Sequence, residues 1–145
     1  MNDQENQISP AYVLASWVAL AVGLSGFLIG LWNAGMGIEE KGYYFVVLAF
    51  GMFGAVSLQK SVRDRIDGIL VSDMYYGICW AGMIMAVALL AIGLFNAKNL
   101  DLDEKGFYAM SYVLCMFAAV TVQKNVRDQL NSASVNQAGS GKQTH

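Results

Sequence analysis

The chain has 145 residues, 56% of them apolar and only 14% charged, with a formal net charge of −2, 15 Gly, a single Pro and a single His. Soluble domains average about 25% charged residues, so this composition argues against a soluble globular domain. The lone His145 stands at the C-terminus, no Cys–His or Ser–His arrangement can be assembled around it, and no basic excess points to nucleic acid; neither an enzyme nor a nucleic-acid partner is expected.

Residues 1–10 are polar and end in Ser9-Pro10, a suitable helix start because Pro is tolerated in the first turn. This segment holds Asp3 and Glu5 but no Lys or Arg, so it lacks the basic region of a signal peptide, and the apolar run that follows reads as a retained first span. No charge lies between Glu5 and Glu39, Lys41 and Lys60, Asp73 and Lys98, or Lys105 and Lys124. Two of these windows contain the long runs Ala11 to Trp32 and Met74 to Phe95, which at about 1.5 Å per residue can cross a hydrocarbon core of about 30 Å. The other two, Tyr43 to Leu58 and Phe107 to Val122, are shorter and need helical ends, interfacial side chains or a locally thinned bilayer to complete a span.

The first span carries Trp17 and Trp32 toward its ends, where amphipathic rings favour the headgroup region. Gly26 and Gly30 form a small-x-x-x-small pair, which favours close helix approach in lipid, although Leu89 replaces Gly26 in the second half. The short connection from Asn33 to Lys41 predicts that the first two spans are antiparallel neighbours. Gly37 with Glu40, and Asp101 with Glu104, have capping-box spacing at the entry to the next helix. Tyr43 and Tyr44 are expected to meet the headgroups.

The second span leaves the membrane through Met52–Asp64, and nine of its thirteen positions are identical in Met116–Asp128. A match that includes polar residues indicates internal duplication. Gln59 and Arg63 share one helical face and Lys60 and Asp64 another, as do Gln123 with Arg127 and Lys124 with Asp128. Cations are costly at the bilayer centre, so Lys60 and Arg63 are read as marking the exit, their stems snorkelling to water.

The resulting expectation is an all-α integral membrane protein with four transmembrane helices, arranged as two parallel tandem helical hairpins. Its divisions are an N-terminal cytoplasmic segment 1–10, a first two-helix repeat 11–64, a linker 65–73, a second repeat 74–128 and a disordered tail 129–145. Lys60, Arg63, Arg65, Lys124 and Arg127 border one side and Lys41, Lys98 and Lys105 the other, so the positive-inside rule puts both termini in the cytoplasm. Cys79 and Cys115 fall inside spans and read as buried apolar side chains rather than a disulfide framework. The Asp101-Asp103-Glu104 cluster reads as a solvated turn, and no metal or cofactor is expected.

The paired Gly-Leu-aromatic-Asn-Ala motif (Gly30–Ala34, Gly93–Ala97), the Glu-Lys-Gly-aromatic-Tyr motif (Glu40–Tyr44, Glu104–Tyr108) and Gln-Lys-x-Val-Arg-Asp (Gln59–Asp64, Gln123–Asp128) resemble those of the YiaA/YiaB family of bacterial inner-membrane proteins. The resemblance covers residues 11–128 and implies a four-span protein of the bacterial cytoplasmic membrane in its doubled form; it implies no reaction. Asn33 and Asn96 end their spans without an evident capping or anchoring requirement, and with Gln59, Arg63, Gln123 and Arg127 they are the candidate functional or packing positions. The functional expectation is a structural or accessory protein acting through helix association, with membrane lipid and a homo-oligomer or another membrane protein as partners. A small transporter or channel subunit is the alternative, although such carriers tend to place an ionisable residue within the membrane.

Overall fold

The computed structural model describes residues 8–140, which form four helices: α1 (Pro10–Asn33), α2 (Ile38–Ile66), α3 (Asp73–Asn96) and α4 (Leu102–Ser140). Each contains a window long and apolar enough to cross a membrane, with mean hydropathy 2.0, 1.6, 2.4 and 1.4 respectively. The all-α, four-span expectation holds.

Local chemistry sets the helix boundaries. Pro10 opens α1 behind Ser9 at the N-cap, and Ser72 caps α3, its Oγ accepting the Tyr75 N–H at 3.2 Å. Gly37 stands at the N-cap of α2, and Glu39 and Glu40 in its first turn favour the positive end of the helix dipole. Ahead of α4, Glu104 Oε2 accepts the Asp101 N–H at 2.9 Å, the reaching-back half of a capping box. α2 ends in a Schellman motif: Gly68 takes φ +74°, its N–H donates to the Arg65 carbonyl and the Ile69 N–H to that of Asp64. A residue with a Cβ would be strained at that glycine.

The buried residues show how the helices associate. α1 buries Ser16, Gly23, Phe27 and Leu31, and α3 buries Cys79, Ala86, Leu90 and Leu94, the same four positions of the repeat. Spacings of four and seven put each set on one narrow stripe, with lipid-compatible side chains around the rest of the helix. α2 and α4 carry the broader buried faces, including Tyr44, Val47, Leu48, Gly51 and Ala55 on one and Tyr108, Ser111, Tyr112, Cys115 and Ala119 on the other.

The extensive contacts are α1 with α4, α2 with α3, and α2 with α4, whereas α1 and α2 touch only lightly. The helices therefore stand in the order α1–α4–α2–α3, with the two repeats related by a twofold axis between α2 and α4. The chain runs as the two expected hairpins, but α1 packs chiefly on α4 of the other repeat rather than on its hairpin neighbour α2. A short turn limits only the separation of two helix ends, and the narrow stripe of α1 finds its complementary surface on the other repeat.

Two boundaries also differ. The helices continue to Ile66 and resume at Asp73, so the linker is shorter than 65–73. The tail expected to be disordered from 129 instead extends α4 to Ser140; 141–145 lie outside the described residues. Its Gln, Leu and Ala residues are compatible with helix, no Pro intervenes, and Ser132 and Ser134 return their hydroxyls to the carbonyls of Asp128 and Asn131.

Candidate functional site

The six candidate residues divide between the two ends of the bundle. At the basic end, α2 and α4 are joined by a reciprocal ionic crossing. Arg63 Nη2 lies 3.1 Å from Asp128 Oδ1, and Arg127 Nη2 lies 2.9 Å from Asp64 Oδ1. Each aspartate also receives the lysine one turn before it, Lys60 to Asp64 at 2.7 Å and Lys124 to Asp128 at 2.9 Å. Asp67 closes the network with Arg63 at 3.4 Å and Arg127 at 3.2 Å. The i,i+4 pairs expected from the sequence are present. The reading of Arg63 as a snorkelling anchor is corrected: it points across the repeat axis to a carboxylate. Three carboxylates offset three of the four cations here and both guanidinium groups are paired, so the crossing clasps α2 to α4 rather than presenting free guanidinium groups to an anion.

Just inside that crossing is a polar layer that the sequence reading did not single out. Asn125 is fully buried and donates from Nδ2 to Ser16 Oγ at 3.1 Å, tying α4 to α1, and Ser16 in turn donates to the Val13 carbonyl. Its repeat equivalent, Ser61, is 1% exposed and bonds within α2 to the Leu58 carbonyl. The available signal was positional: Asn125 continues the three- and four-residue spacing of the buried Ala118, Ala119 and Val122. Gln59 Oε1, Gln123 Oε1 and Asn125 Oδ1 are buried without a hydrogen-bond partner among the described residues. An unsatisfied buried acceptor costs about 1–3 kcal/mol, so these amides are poor choices for stability alone. Gln59 and Arg63 stand on one wall of a cavity of about 470 Å³ whose other walls include Trp80, Met83 and Phe117.

The turn end holds Asn33 and Asn96. Asn33 Nδ2 donates to the Ile29 carbonyl at 2.9 Å, and Asn96 Nδ2 to that of Ile92 at 3.0 Å. The Ile29 and Ile92 carbonyls lie one turn before the last residue of each helix and are already within the i→i−4 ladder, so each amide adds a second, side-chain bond to its own helix. Lys41 Nζ adds a bond to the Trp32 carbonyl at 2.8 Å.

The motifs around these asparagines meet between repeats. Gly30 of α1 faces Phe107 and Tyr108 of α4, and Gly93 of α3 faces Tyr43 and Tyr44 of α2. A Cβ on Gly30 would lie 2.9 Å from Phe107 Cε1, and one on Gly93 would lie 2.6 Å from Tyr43 Cε1, so each glycine makes room for an aromatic ring of the other repeat. Tyr44 is buried, contrary to the expectation that it meets the headgroups; its ring stacks on Tyr108 with centroids 6.1 Å apart. Tyr43 retains partial exposure and donates its hydroxyl to the Leu89 carbonyl at 2.6 Å.

No solved structure matches the chain. It is 50% identical to the inner membrane protein YiaA of Escherichia coli over 128 residues, 88% of each chain. It is 28% identical to the inner membrane protein YiaB of the same organism over 97 residues, 66% of this chain and 80% of that one. The yiaA/B two helix domain matches twice, at 12–64 and at 75–128, intervals that coincide with the two hairpins. The chain therefore belongs to the YiaA/B two-helix-domain family, as a doubled, multi-pass membrane member.

Proposed function

We propose that this inner-membrane protein is a structural or accessory component that acts through helix association, with a second copy of itself or with another membrane protein. The observation that carries the reading is the extension of α4. The helix is 39 residues long, about 58 Å at 1.5 Å per residue, nearly twice the thickness of a hydrocarbon core. From Gln129 to Gly139 every residue is exposed, so this length of helix projects without tertiary support. Isolated helices this short are marginal in water, and Val126, Leu130 and Ala133 keep an apolar edge along it. A helix in that condition is suited to packing against a partner. Even span number and the excess of cations at the basic end support a cytoplasmic position for the extension.

Native mass spectrometry of material extracted gently from its own membranes tests the reading. The expected result is a complex of defined mass, converted to free chain when residues 129–145 are removed while the helical content of the spans is retained. Recovery of monomer alone from unmodified protein refutes it.

A further inference from the structure

We propose that the turn end carries two equivalent sites for a primary ammonium group, each built from both repeats. The first is a cavity of about 310 Å³ between the start of α2 and the end of α3, lined by Glu39, Glu40, Tyr43, Tyr44, Gly93 and Asn96 among others. The second is a cavity of about 280 Å³ between the start of α4 and the end of α1, lined by Asp103, Glu104, Phe107, Tyr108, Gly30 and Asn33. These two sets correspond position by position in the duplication, so an acid pair, an aromatic pair, a glycine and an amide recur together.

The tyrosines point to a ligand independently of the acids. Tyr44 is 4% exposed and Tyr108 3%, so both rings are buried, while their hydroxyls reach the cavities and make no hydrogen bond among the described residues. Tyr43 and Tyr112, by contrast, each donate to a backbone carbonyl. Each free hydroxyl stands beside the glycine of its own cavity: a Cβ on Gly93 would fall 3.3 Å from Tyr44 Oη, and one on Gly30 would fall 3.5 Å from Tyr108 Oη.

The charge at each mouth selects a cation. Among the described residues, every ion pair belongs to the basic end or its adjoining linker, and Glu39, Glu40, Asp103 and Glu104 have none. Glu104 uses only Oε2, on the Asp101 N–H. Asn33 and Asn96 have committed their Nδ2 donors to carbonyls, which leaves the amide oxygen as an acceptor. The carbonyl ends of α1 and α3 add negative potential, opposing the positive ends of α2 and α4. No set of three carboxylate, His or Cys groups able to hold a metal ion exists among the described residues. The edge-to-face ring pairs, Tyr43–Tyr44 at 5.4 Å and Phe107–Tyr108 at 5.9 Å, instead suit an organic cation through its attraction to aromatic faces. A primary ammonium also supplies the N–H donors that the Tyr44 and Tyr108 oxygens and the carboxylates accept.

Two sources offer that group at headgroup depth: a soluble amine, or the ethanolamine headgroup of a phospholipid. The full chain in nanodiscs distinguishes them. In phosphatidylcholine discs, putrescine is titrated by calorimetry; in mixed discs, native mass spectrometry compares retained phosphatidylethanolamine with phosphatidylcholine, whose ammonium has no N–H. A soluble source gives two putrescine sites per chain; a lipid source gives up to two preferentially retained ethanolamine lipids. The paired change Tyr44→Phe and Tyr108→Phe keeps the rings and is expected to weaken the observed binding about tenfold or more, the scale of a lost hydrogen bond to a charged group. Combining Glu39→Gln with Glu40→Gln is expected to remove one site of the two. The proposal is overturned if neither probe binds preferentially, or if binding is unchanged in a Tyr44→Phe and Tyr108→Phe protein that melts like the unmodified chain.

Discussion

Gly51→Ala tests the packing between α2 and α4 at a position where the two repeats differ in a compensating way. Tyr112, 1% exposed, lays its ring over Gly51 and donates its hydroxyl to the Val47 carbonyl at 3.3 Å. A Cβ at Gly51 would fall on that hydroxyl, 2.6 Å from Cζ and 3.2 Å from Met116 Sδ. The corresponding positions in the other repeat are Cys115 and Leu48, a larger residue facing a smaller one. Overpacking of a tight core costs about 1–3 kcal/mol, and replacing a helical Gly by Ala returns about 0.8–1 kcal/mol, so Gly51→Ala should destabilise by up to about 2 kcal/mol net. In a Tyr112→Leu background the obstruction is gone, and the same change should become neutral or stabilising by up to about 1 kcal/mol. The coupling between the two positions should therefore be about 1–3 kcal/mol, the size of the overpacking penalty. Reversible unfolding in mixed detergent micelles, followed by circular dichroism, measures all four corners of the cycle. Equal destabilisation by Gly51→Ala in both backgrounds would refute the steric argument; Gly54→Ala, whose Cβ meets nothing nearer than 3.7 Å, is the control expected to be harmless.

Further outcomes follow from the basic end and the buried groups. Asp64 and Arg127 have side-chain exposures of 9% and 23%, between the surface and buried regimes of ion pairing, so Arg127→Gln should cost about 1–2 kcal/mol in the same unfolding assay. Arg63→Asp should cost at least as much, and adding Asp128→Arg should recover most of the loss; no recovery would argue against the crossing. A reporter active only outside the cytoplasm should be silent when fused after Asp128 and active when inserted in the turn before Gly37, and the reverse pattern would overturn the orientation. Cys79 and Cys115, 6% and 0% exposed, should react with a bulky maleimide only after denaturation; rapid labelling of the folded protein would contradict their burial.

The number of helices was legible from charge segregation because lipid excludes unpaired charge so strongly that the gaps between charges approximate the spans. Expected runs at Ala11–Trp32 and Met74–Phe95 became helices at Pro10–Asn33 and Asp73–Asn96. The second and fourth were underestimated because a helix need not end where it leaves lipid: Gln59 to Ile66 and Gln123 to Ser140 continue it with mostly polar residues and no Pro to stop it. Partner choice was not legible. The positions of Gly23, Phe27 and Leu31 define a stripe, yet a stripe does not name the surface it covers, and turn length pointed to α2 when the complement lies on α4. For the same reason the asparagines and arginines could be selected by recurrence but not assigned. Their bonds, to carbonyls one turn back and to carboxylates across the axis, depend on geometry that recurrence alone does not contain.

The order α1–α4–α2–α3 has a consequence for how the chain is made. α1 is synthesised well before α4, on which its main packing surface lies, so its stripe of Ser16, Gly23, Phe27 and Leu31 is uncovered until α4 follows. The linker between repeats contributes proximity, not packing. Two separate copies of a single two-helix hairpin could close the same row, each lending its second helix to the other's first. The doubled chain thus has the layout of two hairpins paired as a dimer would pair them and joined end to end, with Tyr112 and Gly51 differing from their counterparts Leu48 and Cys115 across the repeat axis.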